Sequence, residues 1–198
     1  DGLLSVEKDG KKGYINDKGK EVIPLKYDDT DLFCEGLATV NIGNKYSFIN
    51  KEGKEIAPFI YQKVKRFSDG YAAVCKDYKW GFIDKNGKEA VKPEYEEAGY
   101  VKNGFANVKN GKIGIVNMKG ELITPLKYDK AGIRRYGDVD LEMGEPEEKL
   151  TRVEINGKFG IVNEKGEEII PVKYDEVFID EHRSVTAAKL NGKWAFAD

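Results

Sequence analysis

A short sequence unit recurs six times along this chain. Its best-preserved copy reads Lys79-Trp80-Gly81-Phe82-Ile83-Asp84-Lys85-Asn86-Gly87-Lys88-Glu89, followed by Val91, Pro93 and Tyr95. Small residues at Gly13, Ser47, Gly81, Gly114, Gly160 and Ala195 are spaced by 34, 34, 33, 46 and 35 positions. Tyrosines at Tyr27, Tyr61, Tyr95, Tyr128 and Tyr174 keep the same rhythm, and prolines at Pro24, Pro58, Pro93, Pro125 and Pro171 accompany them, leaving Pro146 outside. Coincident periods of this length mark a tandem array in which each unit buries its apolar face against the next. The expected fold is all-β, a single domain over residues 1–198 built from β-hairpin repeats of about 34 residues. The repeats are read as 2–35, 36–69, 70–103, 104–149, 150–183 and a partial sixth at 184–198. A lone repeat buries too little to offset its ordering entropy, so the units are expected to fold together.

Each unit opens with an extended segment such as Phe105-Ala106-Asn107-Val108 and then meets a turn signal. Asp9-Gly10, Asn110-Gly111, Asn156-Gly157 and Asn191-Gly192 suit a type I′ hairpin, Gly43-Asn44 suits type II′, and Asp77-Tyr78 is the weak member. A second strand follows, then a turn with Asn or Asp first and Gly fourth, as in Asn16-Asp17-Lys18-Gly19 and Asp84-Lys85-Asn86-Gly87. That pattern predicts a type I turn closed by a left-handed glycine bulge. A short third strand ends near the proline, and a fourth extended piece is expected from Tyr27 through Phe33 and its counterparts. On the second strand, alternation sets Trp80 and Phe82 on one face and Gly81 and Ile83 on the other, and both faces read as buried. The tiny residue in every copy implies that a backbone or ring comes too close for a larger side chain. Lys12 takes the aromatic position in the first repeat, as expected of a terminal unit facing water.

Residues Lys79 to Tyr95 resemble the WG-containing repeat family of bacterial proteins, whose units follow Lys-Trp-Gly-Phe-Ile-Asp, a Gly-Lys turn and an aliphatic-Pro-Tyr tail. The resemblance extends over essentially the whole chain. Trp is kept at Trp80 and Trp194, while Tyr46, Ile113 and Phe159 replace it elsewhere. It implies a repetitive β scaffold, common in bacterial surface or secreted proteins, with no catalytic residues to carry over. Two architectures fit such repeats, an open curved stack of hairpins or a closed β-propeller. The open stack is expected, because the chain begins and ends with the same two strands of a unit rather than with complementary ones.

The 33 basic and 35 acidic side chains leave a net charge of -2, which speaks against a nucleic-acid partner. No run approaches the roughly 18 apolar residues of a membrane helix, so no membrane insertion is expected. The chain opens at Asp1-Gly2 in repeat register without an initiator Met, as an excised piece or a processed product would. Cys34 and Cys75 occupy unrelated positions in the repeat and are read as separate thiols, a disulfide being the alternative.

Candidate chemistry is sparse. The single histidine, His182, lies in Asp180-Glu181-His182-Arg183 and has no marked nucleophile. The Gly-Lys pairs, such as Gly19-Lys20, are hairpin tips and not phosphate loops, since no helix follows them. The irregular 46-residue spacing reveals an insertion near 134–149. Insertions in arrays lie on one face and carry binding, so Tyr136, Asp138, Asp140, Glu142 and Met143 are the candidate partner-binding residues. The three alternating acids also suggest a hard cation, though the glycine-containing loop of an EF-hand is missing. The 9 Phe, 11 Tyr and 2 Trp invite glycan stacking, yet their register suits the core, and the Tyr after the Pro is the repeated aromatic expected to reach solvent. The chain is thus expected to be a noncatalytic scaffold that binds a protein partner at a bacterial surface, extracellular or surface-located, with no metal or cofactor. A glycan or cell-wall module is the alternative.

Overall fold

In the computed structural model of the chain, residues 2–132, 150–179 and 185–196 are described. They form six small antiparallel sheets, with no helix among the described residues. The all-β tandem array read from the sequence is what the chain adopts, and no sheet closes on itself as a barrel among the described residues. Two compact units divide the chain, Asp1–Glu94 and Tyr95–Asp198.

In the first unit, the sheets comprise Leu3–Lys8, Lys11–Asn16 and Glu21–Tyr27; then Asp29–Thr30, Leu37–Ile42 and Lys45–Asn50; then Lys63–Val64, Tyr71–Lys76, Lys79–Asp84 and Glu89–Tyr95. In the second unit they comprise Glu97–Ala98, Phe105–Asn110, Lys112–Asn117 and Leu122–Tyr128; then Lys130–Ala131, Leu150–Ile155, Lys158–Asn163 and Glu168–Tyr174; then Glu176–Ile179, Val185–Leu190 and Lys193–Phe196. The fourth extended piece is real, but it pairs forward. Asp29 and Thr30 lie opposite Asn41 and Val40, and Glu97 and Ala98 lie opposite Lys109 and Val108. Each full sheet therefore takes its first, short strand from the connector that follows the preceding tyrosine.

Three families of turn set this geometry. The first-hairpin turns at Asp9-Gly10, Asn156-Gly157 and Asn191-Gly192 have positive φ at both residues, as type I′ requires. Gly43-Asn44 does too, with φ of 58° and 61°, so it is type I′ rather than the expected type II′. Asp77-Tyr78 follows suit at 50° and 60°, which forces a bulky tyrosine into the left-handed region. At Asn110-Gly111 only the glycine has positive φ, and Asn110 lies directly opposite Lys112. This loop is one residue shorter than its counterparts, which is where the 33-residue spacing arises.

The second family meets expectation in every copy. Asn16, Asn50, Asp84, Asn117 and Asn163 each accept a backbone bond from the glycine three residues on, at 2.9 to 3.0 Å. Their side-chain oxygens also accept two backbone amides. Asn163 Oδ1 receives Lys165 N–H and Glu167 N–H, both at 2.9 Å, which explains why only Asn or Asp occupies the position. The third family was not read from the sequence. Glu35-Gly36, Asp69-Gly70 and Asn103-Gly104 all have positive φ and fold each connector back onto the next strand through paired bonds such as Cys34 N–H to Leu37 O at 2.8 Å.

The invariant small residue is explained by the third strand. Opposite Gly13, Gly114 and Gly160 the ladder bulges, so that Lys12 faces Tyr27 while Tyr14 faces Ile23. The bulge pushes a carbonyl onto the glycine. A Cβ on Gly13 would lie 2.5 Å from Ile23 O, and one on Gly160 would lie 2.6 Å from Ile170 O. Proline sits in this bulge because its missing N–H costs no ladder bond there. Pro93 stands one place nearer its tyrosine than the other prolines do, within the same kind of close approach, over Gly81.

Cores form between successive sheets within each unit. Tyr14, Ile23 and Tyr27 of one sheet pack with Ala38, Val40 and Ile49 of the next. Leu37 and Phe48 meet Ala72, Val74 and Ile83, while Ile113, Ile115 and Tyr128 meet Val153 and Val162. A single repeat supplies half of each core, which is the physical reason the units depend on one another.

Candidate functional site

The sequence candidates Tyr136, Asp138, Asp140, Glu142 and Met143 lie outside the described residues, as does His182 with its neighbours Asp180 to Arg183. What frames the insertion is described. Ala131 and Leu150 flank it, opposite Val153 and Asn163 respectively, on adjacent strands of one sheet. In the preceding repeat the same span, from Ala98 to Phe105, is bridged by six residues ending in the Asn103-Gly104 turn.

Four of the five repeated tyrosines do not reach solvent, contrary to the sequence reading, and Tyr174 is half-buried. Tyr27, Tyr61, Tyr95 and Tyr128 are buried; Tyr27 and Tyr128 face the second strand across the bulge and pack against the following sheet. Burial raises the pKa of the Tyr27, Tyr61 and Tyr128 phenols. It carries Tyr14, whose hydroxyl donates to the Asp31 carbonyl at 2.6 Å, up to about 12. A row of stacking tyrosines for a glycan is therefore not presented.

The aromatic position itself is half-buried, and not fully buried as alternation suggested, at Tyr46, Trp80 and Phe159. Cations cover it. Lys65 Nζ stands 5.9 Å above the Trp80 ring, Arg152 Cζ 4.2 Å above Phe159 and Lys189 Nζ 5.3 Å above Trp194. Lys12, at the same position in the first repeat, is partly exposed and pairs with Asp29 at 2.7 Å.

A repeated polar feature joins consecutive units and was missed in the sequence. The acid after each tyrosine reaches two ways. Asp28 pairs with Lys11 at 2.5 Å and accepts Gly43 N–H at 2.7 Å, in the first-hairpin turn of the next repeat. Asp129 pairs with Lys112 and accepts Asn156 N–H at 2.7 Å. Asp175 pairs with Lys158 at 2.5 Å, and Glu96 accepts Gly111 N–H at 2.7 Å. The lysine in each aspartate pair, and next the turn amide at Asp28 and Asp129, hold these carboxyls below their ordinary pKa. The recurring Tyr-Asp pair and the lysine after each turn carried the signal, but partners 17 residues apart meet only once the sheets form. These are structural clasps, and Gln62 interrupts them in the second repeat.

Neither thiol is bridged. Cys34 donates to Phe67 O at 3.3 Å, and Cys75 is buried, which raises its pKa. Among the described residues no group of three His, Cys, Asp or Glu side chains is placed to hold a metal ion. Among the described residues the exposed aromatic rings are Tyr78, Tyr100 at 41%, and three in the last sheet. Tyr78 is 83% exposed at its turn, and in the last sheet Phe178, Trp194 and Phe196 are 51%, 41% and 76% exposed.

Among solved structures, the chain is similar to a eukaryotic initiation factor at 10% identity and a TM-score of 0.51, over 98% of this chain and 58% of that one. It is similar to Hsv2 of Kluyveromyces lactis at 10% identity and 0.46, over 82% of this chain and 58% of that one. A protein of unknown function from Bacteroides caccae aligns at 15% identity and 0.34, over 90% of this chain and 78% of that one. The chain thus spans under two thirds of the first two structures, and such low identity bears on fold alone. No curated protein matches the sequence. The family model described as WG containing repeat matches residues 13–46, 46–80, 80–112, 113–133 and 159–194, five successive copies on the glycines, bulges and tyrosines described above. The chain belongs to the WG containing repeat family.

Proposed function

We propose that this chain is a noncatalytic scaffold that binds a protein partner through its non-repeated residues, at the surface of a bacterial cell. The observation that supports this reading is how completely the repeated residues are used by the fold. The small residues admit a bulge, the Asn and Asp side chains close turns, the tyrosines fill cores and the acids after them clasp neighbouring repeats. Individuality is left to the insertion, where Tyr136, Asp138, Asp140, Glu142 and Met143 combine an aromatic, an acidic run and a flexible apolar side chain. The glycan reading loses the tyrosines it relied on. Surface placement follows from the family's usual context.

A variant tests this with the fold preserved. Residues 134–149 are replaced by Val-Lys-Asn-Gly, the sequence of residues 101–104, which restores the six-residue bridge of the preceding repeat. Both proteins are immobilised and exposed to a bacterial envelope-protein fraction. A specific protein retained by the native chain and released by the variant is the expected result. Equal retention by both would move binding off the insertion and overturn this reading.

A further inference from the structure

Asparagine followed by glycine is prone to spontaneous deamidation, because glycine has no Cβ to shield its own amide nitrogen. Both kinds of turn anticipated from the sequence contain such pairs, at Asn86-Gly87, Asn110-Gly111, Asn156-Gly157 and Asn191-Gly192. Their chemistry is the same and their surroundings differ.

In three of these pairs the glycine amide is occupied. Gly87 N–H donates to the Asp84 carbonyl at 3.0 Å. Gly111 N–H donates to Glu96 Oε2 at 2.7 Å, while Asn110 Oδ1 accepts Glu96 N–H at 2.9 Å. The Asp175 carboxylate accepts both the Asn191 and the Gly192 amides. Asn156-Gly157 is built differently. The Asp129 carboxylate accepts Asn156 N–H at 2.7 Å and reaches no further, so Gly157 N–H has no acceptor among the described residues. Both residues of the pair are exposed at the tip of their hairpin, with positive φ of 51° and 72°. A glycine amide that donates a hydrogen bond must break it before it can turn onto the neighbouring Cγ. A carboxylate acceptor further disfavours the deprotonated nitrogen that attacks.

We propose that Asn156 is a modification site, the asparagine that deamidates ahead of Asn86, Asn110 and Asn191 in the folded chain. The Gly157 amide nitrogen gives its proton to solvent base and attacks Asn156 Cγ. The new nitrogen–carbon bond closes a succinimide ring, and the Cγ–Nδ2 bond breaks to release ammonia. Water then opens the ring, leaving isoaspartate by cleavage on the main-chain side or aspartate by cleavage on the side-chain side. The balance is water consumed, ammonia released and one carboxylate gained, with no change of oxidation state.

The site is also a joint between repeats. Asn156-Gly157 links Leu150–Ile155 to Lys158–Asn163, and its first amide is one end of the clasp from Asp129, which also pairs with Lys112. Isoaspartate would lengthen the main chain in this turn and set a second carboxylate beside Asp129. This clasp is therefore the one that loosens as the protein ages. The inference is independent of where a partner binds.

The test incubates the full chain, folded and unfolded in guanidinium chloride, in one mildly alkaline buffer and follows both by tryptic peptide mapping. Cleavage after lysine and arginine separates the sites, with Asn156 in residues 153–158. Conversion is read from the gain in mass, and isoaspartate from methyl transfer out of S-adenosylmethionine by an isoaspartyl methyltransferase. In the folded chain Asn156 should convert at least about fivefold faster than the other three, the rate equivalent of the hydrogen bond each held amide must give up. In denaturant the four rates should converge. Glu96→Ala, which frees Gly111 N–H, should raise the Asn110 rate toward that of Asn156 in a variant whose fold is checked by circular dichroism. Equal rates in the folded chain, an order unchanged by unfolding, or an Asn110 rate indifferent to Glu96→Ala would overturn the proposal. The first two comparisons decide it alone if that variant does not fold.

Discussion

Gly13 lies against the Ile23 carbonyl so closely that a Cβ would stand 2.5 Å from the oxygen, while Ser47, at the same place in the next repeat, donates its hydroxyl to the Ala57 carbonyl. The two residues mark two ways for a third segment to cross the second strand. With glycine the strand stays in the ladder and bulges. With serine it departs, and residues 54–61 keep isolated bridges only.

Substitution at this position should therefore depend on the repeat. Gly160→Ala is expected to destabilise by about 1 to 3 kcal/mol, since the atoms a Cβ meets include backbone of the third strand. Ser47→Ala should cost only about 1 kcal/mol, one buried hydrogen bond. Urea unfolding of both variants separates the two costs, and equal losses would contradict the bulge explanation.

Tyr78 offers the opposite test. It holds φ of 60° at a turn position where Gly or Asn stands in other repeats, and its ring is exposed. Tyr78→Gly should stabilise the chain by about 1 kcal/mol by removing left-handed strain. A thermal midpoint that falls would show that the ring contributes more than the strain costs.

The clasps predict an acid response. Asp28, Asp129 and Asp175 have pKa values below those of the unfolded chain, so their contribution is complete above the unfolded carboxylate range and disappears as pH falls through the folded values. Asp129→Asn, which keeps an acceptor for Asn156 N–H but loses the charge on Lys112, should flatten the acid limb of a stability–pH curve and make stability less sensitive to salt. An unchanged acid limb would remove the clasp from the account.

Tyrosine burial predicts an alkaline response of the opposite sense. Tyr14 ionises at about 12 in the folded chain, above its unfolded value, so stability is full below pH 10 and declines between about 10 and 12. Each unit in that window costs about 1.4 kcal/mol for such a group. Tyr27, Tyr61 and Tyr128 shift in the same direction. Tyr14→Phe should lessen the slope. If Tyr14→Phe removed one phenol from those that titrate near 10 without unfolding, the burial of Tyr14 would be contradicted.

Much of this was legible in the sequence because repetition turns local rules into patterns. The Asn-x-x-Gly turns and the Asp-Gly and Asn-Gly hairpins follow from backbone chemistry within a few residues, and the close approach over Gly81 was legible because a tiny residue recurs in every copy. The Glu35-Gly36, Asp69-Gly70 and Asn103-Gly104 turns were equally periodic, but each sits in a stretch that reads as a connector until its pairing with the next strand is seen. Tyrosine burial was misjudged because a hydroxyl suggests a wet edge, whereas the following sheet covers Tyr27 and Tyr128. The clasp between Lys158 and Asp175 depends on register between strands, which no single segment encodes.

The central claim, that the repeated residues are used by the fold and binding belongs to the insertion, is tested most directly by cosedimentation with purified bacterial cell-wall glycan. The native chain is run beside the variant with residues 134–149 replaced by Val-Lys-Asn-Gly. The account predicts that neither protein sediments. Sedimentation of both would place a glycan site on the repeats and contradict it.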